Sequence, residues 1–201
     1  MKKAARRTLD HRPGTMSPSL TTPPPAGSTS STGAATTTGE VTDRYTNHGE
    51  IARGGMGAIL RVVDKTLKRP LAMKILEPAD GNKDASREGL FLEEAQITSQ
   101  LDHPNICPIP EYGTDTAGTN YFTMKLVRGR TLTDLIHDSS YDPANPACLR
   151  DALDALRRVC DALAFAHTKG VLHRDLKPDN IMIGDFGQVY LMDWGVAYLM
   201  H

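Results

Sequence analysis

Residues 173–180 read His173-Arg174-Asp175-Leu176-Lys177-Pro178-Asp179-Asn180. Eight positions hold two carboxylates, two cations, an imidazole and an amide, and Pro178 stiffens the turn that carries them. The stretch is preceded by Val171-Leu172 and followed by Ile181-Met182-Ile183, both short apolar runs of strand type. A polar loop of this density, fixed between two apolar anchors, is expected to present chemistry rather than to join elements.

Upstream, Leu149, Leu153, Leu156, Cys160 and Leu163 recur at helical spacing, and Gly170 stands where a C-terminal cap belongs. This predicts a helix whose leucine stripe is its buried face. Downstream, Val189–Met192 predicts a strand that forms a hairpin with Ile181–Ile183. The turn between them reads Asp185-Phe186-Gly187, and Asp193-Trp194-Gly195 follows the second strand. Asp and Gly are turn formers.

The first half of the ordered sequence has a different texture. Glu50-Ile51-Ala52, a glycine turn Arg53-Gly54-Gly55-Met56-Gly57, and Ala58–Val63 predict strand, turn and strand. Glycines in such a turn let the backbone approach a ligand, and their N–H groups can cradle phosphate, although many such hairpins are only turns. Leu71–Leu76 is a further strand, apolar except for Lys74. Residues 86–101 predict a helix with Leu90, Glu94, Ile97 and Leu101 on one face. Glu93 falls about 100° away around the same helix. A lysine inside an apolar strand either snorkels or meets an anion. Glu94 on an apolar face needs a partner. A buried Lys74–Glu94 pair explains both, and two exposed charges at an edge is the alternative. Ile106–Ile109 and Tyr121–Leu126 are two more expected strands.

The order glycine turn, strand lysine, helix glutamate, polar loop and Asp-x-Gly resembles the protein kinase family. The loop His-Arg-Asp-Leu-x-x-x-Asn carries the likeness most strongly, and the resemblance covers residues 45–201. It implies an α+β, two-lobed kinase fold with a sheet-rich N-lobe over 44–127 and a partial helical C-lobe over 128–201. It implies ATP and Mg²⁺ as cofactors and protein Ser/Thr hydroxyls as acceptors. Lys74 resembles the lysine on the α- and β-phosphates, Glu94 the residue that holds it, and Asp175 the base for the substrate hydroxyl. Lys177 resembles the cation of serine/threonine kinases, and Asn180 and Asp193 the metal ligands. Gly54, Gly55 and Gly57 would cover the phosphates. Ile51, Ile59 and Ala72 above and Met182 below would enclose adenine. Met124 resembles the gatekeeper, and Lys125 to Val127 the hinge.

Two departures stand out. Ala52 replaces the first glycine of the usual loop, and Trp194 replaces the usual phenylalanine. Asp185-Phe186-Gly187 matches the family's metal motif by letter, yet it lies 5 residues after Asn180, where the hairpin must turn. Asp193 follows the second strand and is the expected ligand. The sequence ends 6 residues after Gly195, so the resemblance implies an incomplete domain. A nucleotide-holding pseudokinase or inactive fragment acting as a binding module is the alternative reading. A small-molecule phosphotransferase fits the Arg174 and Lys177-Pro178 context poorly.

Composition sets the frame. The 201 residues carry 23 Lys plus Arg against 24 Asp plus Glu, so no global charge favours nucleic acid. No apolar run approaches the ~18 residues that span a bilayer. The basic residues Lys2, Lys3, Arg6 and Arg7 precede no apolar segment, so no secretory signal is expected. Three cysteines without close pairing read as reduced thiols in a cytoplasmic protein. Residues 14–39 hold almost only Gly, Ser, Thr, Pro and Ala, which predicts a disordered tail over 1–43.

Overall fold

The computed structural model describes residues 40–78 and 84–200. Most of the expected tail therefore lies outside the described residues. Its boundary at 43 is corrected, because Glu40–Thr42 form strand β1 against β2, Tyr45–Gly54. The Thr42 hydroxyl accepts from the backbone N–H groups of Arg44 and Tyr45, which closes the turn between them.

Strands β3 (Gly57–Asp64) and β4 (Arg69–Leu76) continue the sheet. The turn that joins them is built on Asp64, whose carboxylate accepts from Thr66 N and Leu67 N at 2.9 and 3.0 Å. Arg44 donates to the same carboxylate at 2.8 Å. Helix α1 spans Ala85–Ser99 and is capped by Asp84, which accepts from Ser86 N. It buries Phe91, Glu94, Ala95, Ile97 and Thr98, and Leu101 just past its end is buried too, so of the four residues expected on one face only Leu90 lies outside it, 44% exposed.

Strands β5 (Glu111–Thr114) and β6 (Asn120–Lys125) complete a six-stranded antiparallel sheet in the order β1-β2-β3-β4-β6-β5. The strand expected at Ile106–Ile109 is not there. Ile106 makes one isolated bridge to Leu191, and its neighbour Cys107 is buried. Pro108 within that segment and Pro104 and Pro110 on either side deny it a ladder of N–H donors, and the sheet partner of β6 begins at Glu111 instead.

The remaining elements are mostly helical or short. Strand β7 (Gly129–Thr131) runs into helix α2 (Leu132–His137), where Thr131 and Asp134 form a capping box. Helix α3 spans Pro146–Thr168, with Asn145 as N-cap and Pro146 in its first turn. Gly170 follows it with φ 73°, the left-handed conformation that ends helices. The leucine stripe of α3 is not its buried face. Leu149, Leu153 and Leu156 are exposed, while Ala155, Val159, Ala162 and Ala166 pack inward, about a quarter-turn around the helix. Small residues suit that contact because they let α3 approach the strand hairpin closely.

Strand β8 (Val171–Leu172) pairs with β11 (Tyr198–Leu199). Between them come the single 3₁₀ turn Pro178–Asn180 and strands β9 (Ile181–Gly184) and β10 (Val189–Leu191). The order of this second sheet is β10-β9-β7. The largest buried cluster joins α3, α2, β9 and β10 around Leu191 and Trp194. The sheet and α1 bury a second cluster around Phe91 and Phe122.

Candidate active site

A cleft of about 500 Å³ opens between the six-stranded sheet and the β9–β10 hairpin. Its roof is the turn between β2 and β3. Gly57 there has no room for a side chain, since a Cβ would run into the Ile75 carbonyl oxygen. Gly54 and Gly55 face open space, so their value lies in backbone freedom rather than in tight packing. Ile51, Ile59 and Ala72 line the cleft on the sheet side, Met182 on the hairpin side, and Met124, Lys125 and Val127 along the connection.

Lys74 and Glu94 are brought together. The ammonium donates to both carboxylate oxygens at 2.7 and 2.8 Å, and the Glu94 side chain is 5% exposed. Burial pushes the Glu94 carboxyl up, against the pull of Lys74. A second carboxylate, Asp193 Oδ1, lies 3.7 Å from the same ammonium. Asp193 sits at φ 59°, a conformation that turns its side chain out of the β10 direction and into the cleft.

The polar loop closes the other side. Asn180 is buried, and its Nδ2 donates to the Asp175 carbonyl at 2.8 Å and to its carboxylate at 3.0 Å. Lys177 Nζ donates to the same carboxylate at 2.7 Å. Lys177 first, then Asn180, hold the Asp175 carboxyl below its ordinary range. Lys177 is not part of the cleft wall, and its ammonium is held at the edge of the site on the Asp175 carboxylate. His173 is buried edge-on against Trp194, with ring centroids 4.6 Å apart. Its Nδ1 accepts from Asp175 N–H, which leaves Nε2 to donate to the Met192 carbonyl. That is a neutral imidazole, and burial lowers its pKa in the same sense. One ring therefore spans from the loop to the strand that delivers Asp193.

Asp185 takes no part. It is exposed in the hairpin turn, where Gly187 N bonds the Gly184 carbonyl, and Phe186 is 89% exposed. Several lining residues were not singled out by sequence: Thr98, Cys107, Ile109, Thr131 and Asp179. Thr131 carried a legible signal, since Thr131 and Asp134 stand at capping-box spacing. Cys107 carried none, because it enters the cleft from a segment without periodicity. Burial pushes its thiol up to about 11.

The hard-oxygen donors suit a divalent cation. With its nitrogen committed to Asp175, Asn180 has its amide oxygen left as a ligand, and Asp193 adds a carboxylate. Among the described residues no cluster of three His, Cys, Asp or Glu forms a closed metal cage.

A glycine-roofed cleft, a lysine–glutamate pair and an Asp–Asn loop are the elements with which protein kinases hold a nucleotide. The family profile described as the protein kinase domain matches residues 45–201, and the chain belongs to that family. The serine/threonine-protein kinase PknD of Protochlamydia amoebophila is 42% identical over 154 residues, covering 73% of this chain and 16% of that protein. The kinases of the same name from Chlamydia trachomatis serovar L2b and Chlamydia muridarum are 37% and 35% identical, covering 75% of this chain and 17% of each relative. The chain thus spans about one-sixth of the length of these relatives. The family implies ATP and a divalent cation as ligands of the cleft. Among the described residues no helix is long and apolar enough to cross a membrane.

Proposed function

We propose that the chain is a serine/threonine protein kinase module that transfers the γ-phosphoryl group of ATP to a Ser or Thr hydroxyl. The observation that carries this reading is the convergence of Lys74, Asp193, Asn180 and Asp175 on one cleft, with Lys177 on Asp175. We read 44–127 as the nucleotide-gripping lobe and 128–201 as the part of the second lobe that holds the loop.

Phosphoryl transfer needs in-line positioning and cations where charge accumulates. Lys74 is fixed by Glu94 and meets the α- and β-phosphates. Asp175, kept ionised by Lys177 and Asn180, orients the acceptor hydroxyl and receives its proton as that oxygen bonds to the γ-phosphorus and the bond from this phosphorus to the β,γ-bridging oxygen breaks, releasing ADP. Lys177 stands two residues further on and compensates charge on the transferring group. Mg²⁺ is the cation assigned to Asp193 and Asn180, and when bound it neutralises the phosphate oxygens. Adenine lies between Ile59 and Ala72 on one side and Met182 on the other, with Met124 behind it and the backbone of Lys125 to Val127 beside it. The cytoplasm, where ATP is abundant, is the compartment this chemistry calls for.

The test is transfer of label from γ-labelled ATP to a protein acceptor, with phosphoamino-acid analysis of the product. Phosphoserine or phosphothreonine that disappears in Asp175→Asn supports the reading. Nucleotide binding without any transfer identifies a binding module instead.

A further inference from the structure

Lys125 is the last residue of β6, and its backbone borders the cleft. Its carbonyl accepts from the Cys107 thiol at 3.7 Å. Its side chain leaves in another direction. The ammonium lies 4.6 Å from the centroid of the Tyr190 ring and donates to the Tyr190 hydroxyl.

Tyr190 belongs to β10, three residues before Asp193. It is 7% exposed, and it packs in the cluster of Ala72, Phe91, Phe122 and Met124, with Met182 and Met192 against the same cluster. Among the described residues it is the only fully buried member of that cluster that lies beyond residue 125. Leu191, next to it, packs into the other cluster, with Trp194. Strand β10 is thus stitched into both halves of the molecule, and Lys125 fastens the stitch from the hinge side.

We propose that Lys125 and Tyr190 are positioning residues for the nucleotide: together they latch the hinge onto the strand that delivers Asp193, and so slow nucleotide release. The inference rests on the reading of the cleft as the nucleotide site. The physical basis is the contact of one ammonium with the Tyr190 side chain, a hydrogen bond and a cation–π contact, which ties the end of β6 to β10 beside the cleft. Neither side chain needs to touch the ligand. The hinge backbone is fixed at the residue whose side chain is latched, and Tyr190 fixes the β10 backbone three residues from the metal-binding carboxylate.

Stopped-flow chase of N-methylanthraniloyl-ADP from the full chain in Mg²⁺ tests this. Binding of the analogue by the wild-type chain is the first readout; its absence overturns the nucleotide reading and the latch with it. Given binding, Lys125→Met is expected to raise the dissociation rate about fivefold, the size of one hydrogen bond plus one cation–π contact. Tyr190→Phe keeps the ring and the apolar packing, so a smaller rise of about twofold is expected from the lost hydroxyl. Lys125→Arg restores a cation over the ring and returns the rate to near the wild-type value. The double variant Lys125→Met with Tyr190→Phe is expected to be no faster than Lys125→Met alone, because the contact is already gone. Unchanged dissociation rates with a lowered melting temperature, or multiplicative effects in the double variant, would overturn the latch while leaving the nucleotide reading intact.

Discussion

The Lys74 ammonium reaches both oxygens of Glu94, at 2.7 and 2.8 Å, in a setting that leaves the carboxylate almost entirely out of water. Such a pair is costly to break from one side, because the remaining charge stays buried. Lys74→Met is therefore expected to abolish phosphoryl transfer and also to destabilise the fold by about 3 kcal/mol. Lys74→Met with Glu94→Gln should recover much of that stability and none of the activity. Chemical denaturation of the two variants beside a transfer assay decides it; a single variant as stable as wild type removes the buried-pair argument.

Asp185 and Asp193 make a second comparison. Asp185→Asn alters an exposed turn and is expected to change stability by about 0.5 kcal/mol or less, with turnover retained. Asp193→Asn removes the carboxylate facing Lys74 that we propose as a metal ligand, and is expected to lower turnover by orders of magnitude, with weakened Mg²⁺ dependence. A Mg²⁺ titration of both variants checks this. A dead Asp185→Asn beside an active Asp193→Asn contradicts the site.

Helix α3 offers a test of packing. Val159 is buried, so Val159→Ala is expected to cost about 1–2 kcal/mol. Leu153 is 56% exposed, and Leu153→Ser should stay within about 0.5 kcal/mol of wild type. Paired urea melts read the difference, and equal losses would restore the leucine stripe as the buried face.

Acid should act on the sheet through Asp64. Arg44 first, with the N–H groups of Leu67 and Thr66, holds its carboxyl down to about 2 from an ordinary 3.8. A depressed carboxylate binds fewer protons folded than unfolded, so its contribution is complete above about pH 4 and disappears as pH falls toward 2. The stability gap between wild type and Asp64→Asn should be constant from pH 7 to about 5 and shrink below about 4. A gap that widens on acidification has the wrong sign for this network.

The constellation of polar residues at the cleft was legible because those residues are odd for their local setting. Lys74 interrupts an apolar strand, Glu94 an apolar helix face, and the loop 173–180 is too polar for a plain connection. The hairpin geometry separated Asp193 from Asp185 because the position of a turn is a local property. Elements whose partners are distant were less legible. Ile106–Ile109 has the side chains of a strand, but its prolines and its bridge to Leu191 remove it from the sheet. In α3 two adjacent faces are apolar, and which one is buried depends on β9 and β10, elements that follow it in sequence. The Lys125–Tyr190 contact joins residues 65 apart, and neither position is unusual locally.

Trp194 carries a consequence of a different kind. It is the chain's single tryptophan, 1% exposed, stacked edge-on against His173, and its indole N–H finds no hydrogen-bond partner among the described residues. All tryptophan emission therefore comes from one residue, adjacent to Asp193. A rearrangement of this segment that carries the indole from its dry site toward water would shift its emission to longer wavelength. The tryptophan that stands in place of the usual phenylalanine thus equips the chain with an intrinsic optical gauge of the segment that carries Asp193.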